Sequence, residues 1–311
     1  MKEFIRTILK FIYSLFASPR FLPIGLMTCS GLFIFQISLF FIIYIPELSE
    51  RREELLPLIG YAVLAILVLA LSIFIYVRWF KKLDQVRKWA NITLKTLMTI
   101  YLFQWIFLIV YGFINPPLTF TQISNLLQGY GLHRDYVSYD QISPNMKLAV
   151  IASEDQLFPD HDGFDVKSIK IALKYNKRHP KKTHGASTIS QQTAKNLFLW
   201  QGRSIVRKAL EVYFTFMIES FWSKRKILNR YLNVIETGPG IFGVQAAAKS
   251  YFNKDAKDLT RSEAAMIAAC LPSPKRYTIK PMSGHVRLRY DDIMIQMNNL
   301  EPDPDIQEII D

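Results

Sequence analysis

Residues 153–163 read SEDQLFPDHDG, four carboxylates and a histidine in eleven positions. Twenty-two residues further on, 185–196 read GASTISQQTAKN, small hydroxyl and amide residues closing on a lysine and an asparagine. The segment before Glu154, SPNMKLAVIAS, is apolar and opens with Ser143 as a cap and Pro144 in the first turn, a favoured helix start. Glu154 therefore emerges at or just past the C-terminal end of that helix. The partial negative charge there disfavours another anion and tends to raise a carboxylate's pKa, which suits a general base. Taken alone, Glu154 and Asp155 also read as a solvated acidic turn. Asp160, His161 and Asp162 could ligate a metal, although adjacent loop residues rarely all face one ion.

In the second stretch Thr188 and Gln191 have the spacing of a capping box, which places a helix start inside it. A glycine ahead of such a start leaves backbone N–H groups pointing outward, an arrangement that suits a phosphate. Helical spacing puts Thr188, Gln191 and Lys195 on one face, and Arg203, Arg207 and Lys208 follow, so cations gather around a potential anion site. Arg207 and Glu211 are an i,i+4 pair. As a surface ion pair it is worth about 0.2–0.5 kcal/mol; beside an anion site, Glu211 would instead be a second carboxylate able to steer cations or orient substrate. Without the first stretch, the second would read as a polar helix start with ordinary surface lysines.

The elements that must position these residues divide the 311-residue chain unevenly. Half of it is hydrophobic and the formal charge is +12. Residues 1–114 hold 12 of the 38 Lys+Arg and 6 of the 26 Asp+Glu, yet only this part has long uncharged runs. Three of them, 21–45, 55–77 and 96–114, approach or exceed the roughly 20 apolar residues that cross a bilayer. The leader 1–20 and the connector RWFKKLDQVRKWANITLK are basic, whereas PELSERREEL carries four glutamates against two arginines. Positive loops stay in the cytoplasm, so the third span delivers residues 115–311 to the outside. The expected organisation is a basic cytoplasmic leader (1–20), a transmembrane hairpin with its connector (21–95), a third transmembrane helix (96–114) and an external domain (115–311). Prolines in NPPLTFTQ end the third helix. Further capping residues, Thr260 with Glu263 among them, and the lack of long alternating strands predict a mainly α domain, with helices over 204–221 and 224–235 and a loop at GPGIFG. Cys29 and Cys270 leave the external domain a single thiol, so neither an internal disulfide nor a cysteine metal site is expected there.

In order, EDQLFPDHDG, GASTISQQTAKN, RKALE, KRKILNRYLN and LPSP resemble the peptidoglycan glycosyltransferase family (glycosyltransferase family 51), and within it the monofunctional biosynthetic transglycosylases. The resemblance runs over about residues 108–300. It implies a lysozyme-like helical fold with a small membrane-facing jaw subdomain. The implied activity is polymerisation of lipid II into glycan strands, with inverting transfer to a GlcNAc 4-hydroxyl and release of undecaprenyl pyrophosphate. By the same resemblance Glu154 is the general base and Glu211 the second essential glutamate, acting near the pyrophosphate, with Mg2+ or Mn2+ allowed there and no organic cofactor. Lys195 and Arg203 would hold the pyrophosphate. Ser187, Thr188, Gln191, Gln192, Arg207 and Lys208 would line the donor and acceptor sites, and Asp155, Phe158, His161 and Gly163 would shape the first motif. The implied partners are lipid II, the nascent strand, the bilayer of the bacterial cytoplasmic (inner) membrane and other cell wall synthesis proteins, with the catalytic domain on the periplasmic side and no nucleic acid.

Two features depart from that pattern. Asn229 stands where the family usually has a glutamate, at a position read as structural, and the spans at 21–77 are additional to the usual single one. Ser223-Lys-Arg-Lys226 fits the Ser-x-x-Lys of acyl-enzyme transpeptidases but is read as coincidence, since no Lys-Thr-Gly follows and no transpeptidase domain is expected. Two rival functions are a lysozyme-like lytic transglycosylase or glycan hydrolase, which needs an acid but no cation cluster, and a non-enzymatic membrane scaffold.

Overall fold

The computed structural model describes residues 28–29, 31–33, 35–36, 84–179, 185–202 and 204–311. The chain divides into two units, residues 1–109 and 110–311. Apart from short helical pieces between 28 and 36, the expected spans at 21–45 and 55–77 lie outside the described residues. All but the last residue of the third expected span falls within helix α1 (Asp84–Phe113), of which Lys88–Phe113 is long and apolar enough to cross a membrane. The helix begins well before residue 96, so part of the basic connector is helical rather than loop. Trp89, Leu97, Ile100, Phe103, Ile106 and Ile109 are exposed along it, an apolar surface that suits lipid better than water.

The second unit is mainly helical, as expected: α2 (Phe120–Leu127), α3 (Pro144–Glu154), α4 (Val166–Arg178), α5 (Ile189–Phe198), α6 (Ile205–Phe221), α7 (Lys224–Val234), α8 (Val244–Phe252), α9 (Arg261–Cys270), α10 (Gly284–Leu300) and α11 (Pro304–Ile310). Helix α3 runs through the core. Met146 through Ala152 are all buried, and a helix apolar on every side is a core helix. It packs on α9, α10 and α11, while α5 lies between α6 and α7. The expected capping residues are in place. Ser143 Oγ accepts from Asn145 N at 3.2 Å, and Thr188–Gln191 and Thr260–Glu263 form complete capping boxes. Ser223 caps α7 by accepting from Lys226 N at 3.3 Å, which gives the serine of the Ser-x-x-Lys match a structural task. Asn229 Oδ1 accepts from Asn233 Nδ2 at 2.8 Å. Asn233 in turn holds both backbone groups of Val137, so Asn229 serves the scaffold.

The stretch read as a loop is a hairpin. Strands β2 (Glu236–Gly238) and β3 (Ile241–Phe242) pair antiparallel, and β1 (His133–Arg134) joins β3 in parallel, in the order β1-β3-β2. Strands of two or three residues are too short for alternation to register. At Gly240, φ is +70° and a Cβ would lie 2.2 Å from the Tyr130 carbonyl oxygen, so only glycine fits.

At the C-terminus, buried Lys147 donates from Nζ to the Ile310 carbonyl at 2.7 Å and lies 3.8 Å from the Tyr139 ring centre. The Tyr139 hydroxyl donates to the Ile309 carbonyl, and together they fasten α11. Burial, assisted by Arg225, pushes the Lys147 pKa down to about 8. Between pH 8 and its unfolded value near 10.5 the unfolded chain binds the extra proton, so stability rises with pH. Relative to Lys147→Met, the wild-type domain should gain up to about 3 kcal/mol across that window. Parallel thermal melts check this; a difference that stays flat with pH contradicts it.

Candidate active site

Glu154 is the last residue of α3 and half-buried. Its Oε2 accepts from Gln192 Nε2 at 2.7 Å. Burial raises its pKa, while the Gln192 bond and the charges of Arg289 and Lys195 partly oppose that rise. Loss of water is thus the main cause of the shift expected from the helix end. Gln192 is itself fixed: the hydroxyl of fully buried Tyr231, on α7, donates to Gln192 Oε1 at 3.2 Å. An amide whose oxygen is already engaged must turn its NH2 toward Glu154.

Asp155, next in sequence, faces the other way. Its Oδ2 accepts from the backbone N–H of Ile189 at 2.9 Å and its Oδ1 lies 3.0 Å from His161 Nε2. His161 Nδ1 accepts from Gly163 N at 3.1 Å, which leaves Nε2 as the donor to Asp155. Thr188 Oγ1 donates to the Gly163 carbonyl at 2.7 Å, and its oxygen also receives Gln191 N. Gly163 has φ +92°, and a Cβ there would lie 2.8 Å from Thr215 Cγ2. Phe158 is wholly buried. The structure therefore uses Phe158, His161, Gly163, Thr188 and Gln191 to lock the SEDQLFPDHDG loop onto α5. The start of α5, expected to offer free N–H groups to a phosphate, instead receives the chain's own Asp155 carboxylate. Gln192, Lys195 and Asn196 face one open cavity and Thr188 borders another, while Gln191 is buried.

Glu211, on α6, is buried. Arg207 Nη1 lies 2.7 Å from its Oε2, and Lys208 Nζ bonds its Oε1. Arg207 Nε also donates to the Gly202 carbonyl at 2.7 Å. Lys195 is different: its ammonium has no ion pair or hydrogen bond among the described residues, and burial lowers its pKa against the opposing pull of Glu211 and Glu154. Arg203 lies outside the described residues. The groups present do not fit a divalent cation at Glu211. Both of its oxygens already hold protein cations, and among the described residues no three His, Cys, Asp or Glu side chains gather for a metal.

Two cavities meet at Glu154. One, of about 630 Å³, is lined by Glu154, Ser187, Gln192, Lys195, Asn196 and Glu236 among others. The other, of about 430 Å³, is lined by Glu154, Asp155, Ser187 and Thr188 with neighbouring residues of α3 and α4. Ser187 and Glu154 border both. Sequence reasoning missed Tyr231, Arg289 and Glu236. Tyr231 sits on the buried face of an amphipathic helix, where spacing marks it only as core. Arg289 lies 135 residues from Glu154, and Glu236 begins a strand too short to see.

A helical domain that brings a half-buried carboxylate and an ammonium with no ion pair among the described residues to one cleft has the makings of a group-transfer site, and the family model described as Transglycosylase matches residues 121–298. The match covers more than half the chain, which belongs to that family and is a glycosyltransferase. The biosynthetic peptidoglycan transglycosylase of Shigella boydii serotype 4 (strain Sb227) is 57% identical over 190 residues, 60% of this chain and 78% of the relative. Proteins of the same name from Escherichia coli O1:K1 / APEC and Escherichia coli (strain K12 / DH10B) show the same identity and coverage.

Proposed function

We infer that this peptidoglycan glycosyltransferase of cell wall synthesis polymerises lipid II, and that Glu154 and Lys195 do the chemistry. The observation that supports this most is their shared cleft, with the carboxylate's pKa raised by burial and the ammonium without an ion pair among the described residues. Glu154 takes the proton of the acceptor GlcNAc 4-hydroxyl as that oxygen attacks C1 of the donor MurNAc. The C1–oxygen bond to the diphosphate breaks, the electron pair leaves with undecaprenyl pyrophosphate, and the α link becomes β. Lys195, with Arg203, stabilises the negative charge growing on the leaving group, where a preorganised cation has most effect. Lys195 lines only the larger cavity of the two, so the donor belongs there and the acceptor in the smaller, with Glu154 between them. Glu211 holds Arg207 and Lys208 in place and adds to the field that keeps Lys195 charged.

The same reading places the protein in the bacterial cytoplasmic membrane as a multi-pass chain, with the catalytic domain outside. Phe120, Ile123 and Leu127 on α2 and Ile171 and Leu173 on α4 are exposed apolar residues, suited to a jaw that rests on lipid. A substrate carried on a lipid is confined to the same leaflet. Incubating the detergent-solubilised protein with labelled lipid II should yield β-linked polymer and undecaprenyl pyrophosphate. Digestion of preformed glycan without polymer would instead support a lytic enzyme, and neither activity a scaffold.

Tyr231 acts through Gln192 as a positioning residue. Tyr231→Phe removes one hydrogen bond, worth about 1 kcal/mol, and should lower kcat about fivefold. KM should barely move, and the melting temperature should fall by about 2–4 °C. An unchanged kcat would detach Tyr231 from the base.

A further inference from the structure

Glu236 opens β2 and lines the larger cavity together with Glu154 and Lys195. Its side chain is 13% exposed. The protein satisfies this carboxylate poorly. Asn125 Nδ2 donates to Oε2 at 3.4 Å, Lys275 Nζ is 3.9 Å from Oε1, and the Gly240 backbone supplies a further hydrogen bond. Oε1 is shielded from solvent and has no hydrogen bond among the described residues. Both side-chain partners are also engaged elsewhere. Asn125 Nδ2 is shared with the Thr121 carbonyl at 3.1 Å, and Lys275 Nζ is drawn to Gln128 Oε1 at 3.3 Å and to the Tyr130 ring at 4.1 Å.

A buried acceptor left short of donors is disfavoured, and native proteins rarely keep one without a reason. Rotation about the last side-chain torsion of a glutamate is soft, so the carboxylate can turn an oxygen toward the cavity it borders. We propose that Glu236 is a specificity-determining residue that accepts a hydrogen bond from a hydroxyl or acetamido N–H of the donor sugar. This rests on the lipid II reading, which puts the donor in the cavity that Glu236 lines. A site built around such an acceptor rejects analogues lacking the matching donor group, because binding them leaves the carboxylate unpaired.

The test uses the full chain in detergent with donor-only lipid II, its own 4-hydroxyl blocked, and a separate acceptor, the concentration of each varied in turn. Glu236→Ala should raise the donor KM about tenfold while kcat and the acceptor KM stay within about twofold. Glu236→Gln, which keeps an acceptor oxygen, should fall between. Donor analogues with single hydroxyls removed, or with N-methylated acetamido groups, are then given to the wild type. One of them should lose about tenfold there and nothing further in Glu236→Ala. This arm with the wild type stands even if a variant fails to fold. A donor KM unchanged in both variants overturns the proposal, as does equal use of every analogue by the wild type, or a fall in melting temperature with no change in KM. A wild type that makes no polymer from lipid II would instead sink the reading on which the proposal rests.

Discussion

Glu154→Gln should lower polymerisation of lipid II by about 10²–10⁴-fold, the usual contribution of a positioned general base. The amide is the same size as the carboxylate and its oxygen can still accept from Gln192 Nε2, now 2.7 Å from the carboxylate. The cleft should keep its shape and its affinity for substrate. The loss should therefore fall on kcat, with KM nearly unchanged, because the missing interaction is made only as the proton moves. Polymer formed from labelled lipid II, measured across a concentration series, separates the two parameters. A variant that keeps wild-type kcat would remove Glu154 from the chemistry.

Lys195→Met comes second, with an expected loss of about 10²–10³-fold in kcat. Methionine fills much of the same volume, so α5 should keep its packing while the ammonium disappears. The argument turns on a contrast within the cation cluster. Arg207 and Lys208 are already tied to Glu211, whereas Lys195 has no partner among the described residues and lines the cleft. Burial raises the free energy of the charged lysine and so lowers its pKa, and a diphosphate gathering charge beside it relieves that cost. The variant has a second signature. Lys195 helps to hold the Glu154 pKa down, so its removal should move the acid limb of the residual rate to higher pH. The rate–pH profile of the variant checks both parts; full activity or an acid limb moved the other way would contradict them.

Much of this was legible before any coordinates. The caps at Ser143, Thr188 and Thr260 speak through backbone chemistry local to a few residues, and they set helix starts correctly. Glu154 at a helix end and the Arg207–Glu211 pair follow from the same local rules. Tertiary partners were not legible. Thr188 and Gln191 sit on the expected helix but spend their polar atoms on its cap and on the Gly163 carbonyl. Asp155 takes the N–H group imagined for a phosphate, a pairing 34 residues apart in the chain. Tyr231, on α7, meets the site only through Gln192, and Glu236 reaches the cleft from a three-residue strand, where spacing signals only core or turn.

The most direct test of the paired carboxylate and ammonium is the pH dependence of kcat with saturating lipid II. In the wild type the rate should fall tenfold per pH unit on the acid side, below an apparent pKa higher than the about 4.3 of an ordinary glutamate. The residual rate of Glu154→Gln should lack that limb. A limb at or below the ordinary value, or one that survives the substitution, would mean that some other group takes the proton.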